Sequence, residues 1–317
     1  MKVAAWRRHR LLNGLQSLIL LAAMAAILSG LGWVVAGGSG VFWALVGGAA
    51  LVLLNPGFSP RLVLRMYAAR ALGPRQAPEL HALLATLAER AGLRATPELY
   101  YVPSRMLNAF AVGTRSASAV AVTDALLRAL SPRELAGVLG HEVSHVRHND
   151  MWVMGLADLF SRLTSLFSSF GQILLLLNLP LLMFSEYRVS WTAILILVFA
   201  PTLSALMQLA LSRTREYDAD LGAAELTGDP RGLAMALEKM ERFQGRFIEQ
   251  IFFPGRRVPD PSLLRTHPPT KERIRRLLAL EPGLAPLDGP RSVAALPRAA
   301  YPAVERRPRW HANGMWY

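Results

Sequence analysis

Residues 141–145 read His-Glu-Val-Ser-His, within "LSPRELAGVLGHEVSHVRHNDM" at 130–151. Two histidines four residues apart fall on one face of a helix, so both imidazoles can reach a single metal ion. Glu142, one position round from His141, would not bind the ion. It would lie beside a metal-bound water and could take that water's proton as a general base. The chemistry suggested is metal-assisted hydrolysis. A solvated helix end carrying two histidines is the plainer alternative, since His148 and Asn149 follow at once.

A hydrolytic zinc site needs a third protein ligand and an open position. The chain has no cysteine, which leaves histidine and carboxylate donors. "LSRTREYDADLGAAEL" at 211–226 offers Glu216 and Asp220, four apart and so also on one helical face. Glu216 could bind the metal and Asp220 could accept a hydrogen bond from a ligating histidine. Taken in isolation, the pair reads more readily as surface charges beside Arg213 and Arg215.

These residues need elements to hold them. Ser131-Pro132-Arg133-Glu134 has the spacing of a capping box with proline at the first helical position, which starts the histidine helix. Pro78 to Gly92 has a helical apolar stripe at Leu80, Leu83, Leu84 and Leu87. Residues 97–102, 106–112 and 116–123 read as strands, the last two forming a hairpin through Gly113-Thr114-Arg115. Asp229-Pro230 opens a further helix through Met240, and another is expected from about Pro269 to Leu280.

Composition adds a membrane: 52% hydrophobic, 18% charged, mean hydropathy +0.28. Apolar runs at Leu11–Val35, Val41–Leu54, Leu163–Phe184 and Trp191–Leu211 give about four spans, with Gly37-Gly38-Ser39-Gly40 as the turn between the first two. Gln172, Asn178 and Pro180 interrupt the third run, so 151–211 reads as a transmembrane or membrane-embedded hairpin. A cleaved signal peptide is disfavoured by the length of the first run.

The formal charge of +13 resides largely beside these runs, at Lys2, Arg7, Arg8 and Arg10 and again at Arg61, Arg65, Arg70 and Arg75. The positive-inside rule then places the N-terminus and the polar segments in the cytoplasm, and accounts for much of the basic excess without nucleic acid. Two spans between residues 150 and 213 would return Glu216 to the membrane face that carries His145, as a shared metal requires.

The expected fold is α+β: a predominantly helical integral membrane protein with a small β-sheet beside the zinc-binding helices. Its segments are two N-terminal spans (1–55), a first catalytic part (56–150), a membrane hairpin (151–211), a second catalytic part (212–284) and a Pro/Arg-rich tail (285–317).

Four motifs in order, "NAFAVG" at 108–113, "HEVSH" at 141–145, "SRTREYDADLGAA" at 212–224 and "THPPTKERI" at 266–274, resemble HtpX-type membrane zinc metallopeptidases. These are gluzincins related to CaaX prenyl proteases and OMA-type peptidases, and the match reaches nearly everything except the tail. The resemblance implies one Zn2+ per chain held by His141, His145 and Glu216. Glu142 would be general base and Asp220 the support of a ligand. It also implies an edge strand at Asn108, Ala109, Phe110 and Ala111 that pairs with an extended substrate, and His267 as an oxyanion stabiliser. His267 read by itself is equally a histidine preceding a helix.

The implied activity is endopeptidase cleavage of misfolded or damaged membrane proteins, a quality-control role at the bacterial inner membrane with the active site facing the cytoplasm. Polypeptides and the lipid bilayer are the partners, with no nucleic acid; the oligomeric state is open. The rival readings are a non-catalytic membrane scaffold of the same fold and a CaaX-type prenyl protease. An intramembrane protease is disfavoured because Arg133, Glu134, Arg147, His148 and Asp150 flank the histidine motif.

Overall fold

The computed structural model describes residues 2–54, 60–184, 190–252 and 269–280. The described chain is mostly helical, with one four-stranded sheet. It divides into two compact units, Met1–Pro56 with Trp152–Arg215, and Gly57–Met151 with Glu216–Tyr317.

The first unit is built from α1 (Lys2–Leu54) and the greater parts of α6 (Asp150–Phe184) and α7 (Trp191–Thr227). Three helical stretches, Leu11–Gly48, Asp150–Leu177 and Trp191–Thr227, are long and apolar enough to cross a membrane. The two apolar runs expected near the N-terminus are one helix broken at Ala36 and Gly37, where Gly37 takes φ +59°. The arms fold back on each other. Leu28 and Ala44 share a buried cluster with Leu163, although sixteen residues of straight helix would separate them by roughly 24 Å. The close approach depends on Gly32 and Gly40, since a Cβ on Gly32 would come within 2.6 Å of the Gly40 carbonyl oxygen. Large apolar side chains such as Leu18, Trp43, Phe170, Leu176 and Phe199 remain exposed on this unit, a surface suited to lipid.

Gln172 and Pro201, which look like faults in spanning helices, answer one another. Proline at 201 has no N–H to give the carbonyl four residues back, that of Leu197. That carbonyl instead accepts from Ser168 Oγ and, at 3.1 Å, from Gln172 Nε2 of α6. Ser161 and Ser204 add a second polar contact between the same helices at 3.2 Å.

In the second unit the sheet has the order β1-β2-β4-β3, formed by β1 (Arg70–Ala71), β2 (Glu98–Val102), β3 (Ala109–Gly113) and β4 (Ser118–Thr123). β3 and β4 form the expected antiparallel hairpin, closed by the mutual bonds of Thr114 and Ala117. β2 joins β4 in parallel, a pairing that strand propensity alone does not specify. On one face Leu64 of α2 (Pro60–Met66) packs on Ala119, Ala121, Phe110 and Val112. Alternation turns Ala109 and Ala111 to the opposite face.

α3 (Pro78–Arg90) buries Leu80, Leu84 and Leu87. α4 (Asp124–Ala129) is a short helix capped by Thr123, whose Oγ1 accepts from the Leu126 N–H. α5 (Pro132–His148) starts at the capping box as expected: Ser131 Oγ accepts from the Glu134 N–H while a Glu134 carboxylate oxygen accepts from the Ser131 N–H at 2.6 Å. The carboxylate that closes the box is buried and is also paired with Lys239 of α8 (Pro230–Phe252) at 2.7 Å. α9 (Thr270–Leu280) completes the unit.

Candidate metal centre

The capping box fixes where α5 begins and therefore which way each later residue points. Leu135, Leu139, Val143 and Val146 are fully buried, and His141 and His145 stand together on an adjoining face, their rings 4.6 Å apart and perpendicular. α7 brings Glu216 and Asp220, one helical turn apart, against them. The three donors expected from the sequence converge: His141, His145 and Glu216 form a group able to hold a metal ion.

The separations test that fit. The two Nε2 atoms are 3.1 Å apart, and Glu216 carboxylate oxygens lie 3.5 Å from His141 Nε2 and 3.9 Å from His145 Nε2. Ligands about 2.0–2.2 Å from a tetrahedral ion stand roughly 3.3–3.6 Å from each other. The two glutamate contacts use different carboxylate oxygens, so the three side chains converge at coordination range, with one donor atom of each within 4.8 Å of the others.

Each imidazole is held from behind. His141 Nδ1 lies 3.1 Å from Asp220 Oδ1, and His145 Nδ1 lies 2.8 Å from Asp150 Oδ2. Asp150 accepts the hydrogen bond of His145 Nδ1 and the Asp220 carboxylate lies beside His141 Nδ1; a carboxylate there favours the proton on Nδ1 and leaves the Nε2 lone pair for a metal. Asp220 was expected in this place. Asp150 was not singled out, because it lies beyond the end of α5. Asn149 closes that helix in the left-handed conformation (φ 58°), and the turn carries Asp150 back beside His145. Asparagine followed by an acid just after a histidine helix is the signal that could have revealed it.

Arg273 of α9 also escaped sequence reasoning as a site residue. Its guanidinium forks onto Asp220, Nε to Oδ2 at 2.8 Å and Nη2 to Oδ1 at 2.6 Å, and its Nη1 lies 3.1 Å from Glu216 Oε2. Burial works against its charge, but the Asp220 and Glu216 carboxylates hold it firmly protonated.

Glu142 is buried beside the two histidines. Burial pushes its carboxyl pKa up, while the neighbouring imidazoles and a hydrogen bond from the Ala111 N–H pull the other way. For His141, burial opposes charge, yet Asp220 and Glu216 outweigh it and push the pKa up to about 10.

That Ala111 bond identifies the geometry of β3. The Thr123 N–H donates to the Asn108 carbonyl at 3.1 Å, and Thr114 and Ala117 pair at the other end, so Asn108, Phe110 and Val112 turn their backbone groups toward β4. Ala109 and Ala111 therefore point theirs outward. Among the described residues β3 pairs only with β4, and its other side is a free edge. Of the four residues expected to meet substrate, Ala109 and Ala111 offer backbone groups, Asn108 offers an exposed side chain, and Phe110 packs against Tyr67 with rings 4.7 Å apart. His267 lies outside the described residues, as does the tail at 285–317.

The chain matches the family described as peptidase family M48 over residues 74–281. It is 33% identical over 294 residues to the protease HtpX homolog of Methylibium petroleiphilum, covering 85% of this chain and 98% of that one. It is 37% identical over 289 residues to the protease HtpX homolog of Acaryochloris marina (85% and 95%). The protease HtpX homolog of Pyrococcus abyssi is also 37% identical, over 287 residues (84% and 96%).

Proposed function

The chain belongs to peptidase family M48 as an HtpX-type membrane metallopeptidase, and from that premise we propose that it is a zinc-dependent endopeptidase acting on unfolded or damaged membrane proteins. The observation that carries the reading is the treatment of the two histidines. Both turn Nε2 toward Glu216, and both have Nδ1 against a buried carboxylate.

His141, His145 and Glu216 would hold the ion, and zinc suits a donor set of two imidazoles and one carboxylate. When bound, zinc would supply Lewis-acid polarisation of a carbonyl and a lowered pKa for a water. The chain's own residues do the rest. Ala109 offers a backbone N–H and carbonyl, and Ala111 a carbonyl, along the free side of β3, which favours an extended peptide added as a further strand. Small side chains at both positions leave room for it. Recognition through backbone groups needs an unfolded stretch and demands little of its sequence, which supports a role in disposing of damaged proteins. Glu142 takes a proton from the attacking water on its carboxylate and returns it to the leaving nitrogen. The Ala111 N–H favours the ionised form of that carboxylate.

Basic residues at 2–10 and 61–75 support a cytoplasmic active site at the bacterial inner membrane. The test is cleavage of an unfolded reporter protein by the detergent-purified, zinc-loaded chain, with Glu142→Gln beside it. Cleavage by the parent alone supports the proposal. Cleavage by both would remove Glu142 from the mechanism, and zinc binding without cleavage by either would favour a scaffold.

A further inference from the structure

We propose that Arg273 is a positioning residue of the metal centre: from α9 it fixes at once the carboxylate that orients His141 and the carboxylate that supplies the third ligand. The inference rests on the metallopeptidase reading above and adds a residue to it.

Asp220 Oδ1 stands between two partners, Arg273 Nη2 at 2.6 Å and His141 Nδ1 at 3.1 Å. The second oxygen, Oδ2, accepts from Arg273 Nε at 2.8 Å. With both oxygens engaged by a planar fork, the carboxylate cannot rotate, and Oδ1 stays at the imidazole. The remaining arm of the same guanidinium, Nη1, reaches Glu216 Oε2 at 3.1 Å. One group thus holds Asp220 by a fork and pairs with Glu216 a helical turn away on α7. An ammonium has three donors but no planar fork, so it cannot fix both Asp220 oxygens in one orientation while also reaching Glu216.

The arginine is itself well held. Its side chain is 8% exposed, Leu277 one turn later is fully buried, and the Arg276 guanidinium stacks 3.8 Å above the Tyr217 ring of α7. α9 is therefore fastened to the ligand helix at two points, of which only Arg273 touches the centre. That distinction separates a positioning role from general docking of the helix.

The experiment uses the full chain in detergent, stripped of metal, as parent, Arg273→Gln, Arg273→Lys and Arg276→Gln. Zinc affinity is read by competition with a chromophoric chelator, and ligand geometry by the visible absorption of the cobalt-substituted protein. Loss of a group that orients metal ligands costs about 10–100-fold in affinity. We expect Arg273→Gln to lose that much and to change the cobalt band shape or intensity, Arg273→Lys to recover it only in part, and Arg276→Gln to match the parent in both readouts.

The proposal is overturned if Arg273→Gln or Arg273→Lys keeps the parental affinity and spectrum, or if Arg276→Gln loses as much as Arg273→Gln. It is also overturned if neither Arg273 variant folds by circular dichroism, which would make the residue structural. Should Arg273→Gln alone fail to fold, Arg273→Lys decides by the same two readouts. A parent chain that binds no zinc would instead defeat the metallopeptidase reading.

Discussion

Gly222→Ala should damage the metal centre without changing any residue that touches the ion. Gly222 lies on α7 two residues after Asp220, and faces Ser144 of α5, the neighbour of His145. A Cβ built there would overlap Ser144 Oγ and come to 2.9 Å of Ser144 Cβ. The hydroxyl can rotate away, but the Cβ is fixed to the α5 backbone. Carbon atoms rest about 3.5–4.0 Å apart, so the two helices must separate locally by about 0.6–1.1 Å. Glu216 rides on one helix and both histidines on the other, and the oxygen–nitrogen separations are already 3.5 and 3.9 Å. Adding such a shift carries both separations beyond the roughly 3.3–3.6 Å between ligands that a tetrahedral ion allows.

Stability is a poor readout of this change. Overpacking costs about 1–3 kcal/mol, but alanine gains about 1 kcal/mol over glycine inside a helix, so the two largely offset. Metal affinity has no such compensation, and a misplacement of about 1 Å can cost about 100-fold in function. We expect at least a tenfold weaker zinc affinity by chelator competition, with circular dichroism unchanged. Ser144→Gly removes both contacts, and the double variant should recover most of the loss. Parental affinity in Gly222→Ala, or no recovery in the double variant, would refute the claim that helix separation sets the ligand triangle.

Asp150→Ala removes the acceptor behind His145 Nδ1, and should weaken zinc affinity about 10–100-fold; Asp150→Asn, which retains an acceptor oxygen, should lose less in the same titration. Replacing both Ser168 and Gln172, by Ala and Leu, strands the Leu197 carbonyl and should cost about 1–2 kcal/mol in thermal unfolding in detergent. In a Pro201→Ala background, where the helix supplies the missing N–H, that cost should fall by at least half.

The Asp229 carboxyl is held below its ordinary 3.8 chiefly by its hydrogen bond from Arg133. A carboxyl depressed in the folded state stabilises at pH above its unfolded pKa, and the gain disappears as pH falls through the folded value. Arg133 is half exposed, so screening limits the effect to under about 1 kcal/mol. Arg133→Gln should therefore unfold more readily than the parent at neutral pH, and the difference should shrink as pH falls below 3.8 and vanish only below the lower folded-state pKa. A difference that persists in acid would mean the ion pair is not its source.

The sequence was most informative where chemistry and helix periodicity coincide. Ser131 and Glu134 define the start of α5, and four-residue spacing then places His141 with His145 on one helix and Glu216 with Asp220 on the other. The parts that stayed hidden depend on contacts that no local pattern encodes. Asp150 is separated from His145 by a left-handed residue and so leaves the periodic frame. Arg273 reaches a carboxylate 53 residues away in the chain. The parallel pairing of β2 with β4 and the two-residue β1 arise from tertiary packing rather than strand propensity. Gln172 looked like an interruption of a span because periodicity weighs a residue alone, whereas its amide serves a carbonyl freed by a proline on another helix.

The buried charges around the centre give a separate reason to expect a cation there. Glu142, Asp150, Glu216 and Asp220 are buried carboxylates gathered about two imidazoles, and Arg273 pairs with two of them, Asp220 and Glu216. Both Nε2 atoms are directed into this cluster, toward Glu216. The field is strong enough to hold a proton on His141 up to a pKa of about 10 despite burial. A divalent ion satisfies the same field with twice the charge and suits the Nε2 lone pairs that a proton would occupy singly. Arg273 pairs with Asp220 and Glu216 rather than with the histidines, so it does not fill the point where the three donors meet.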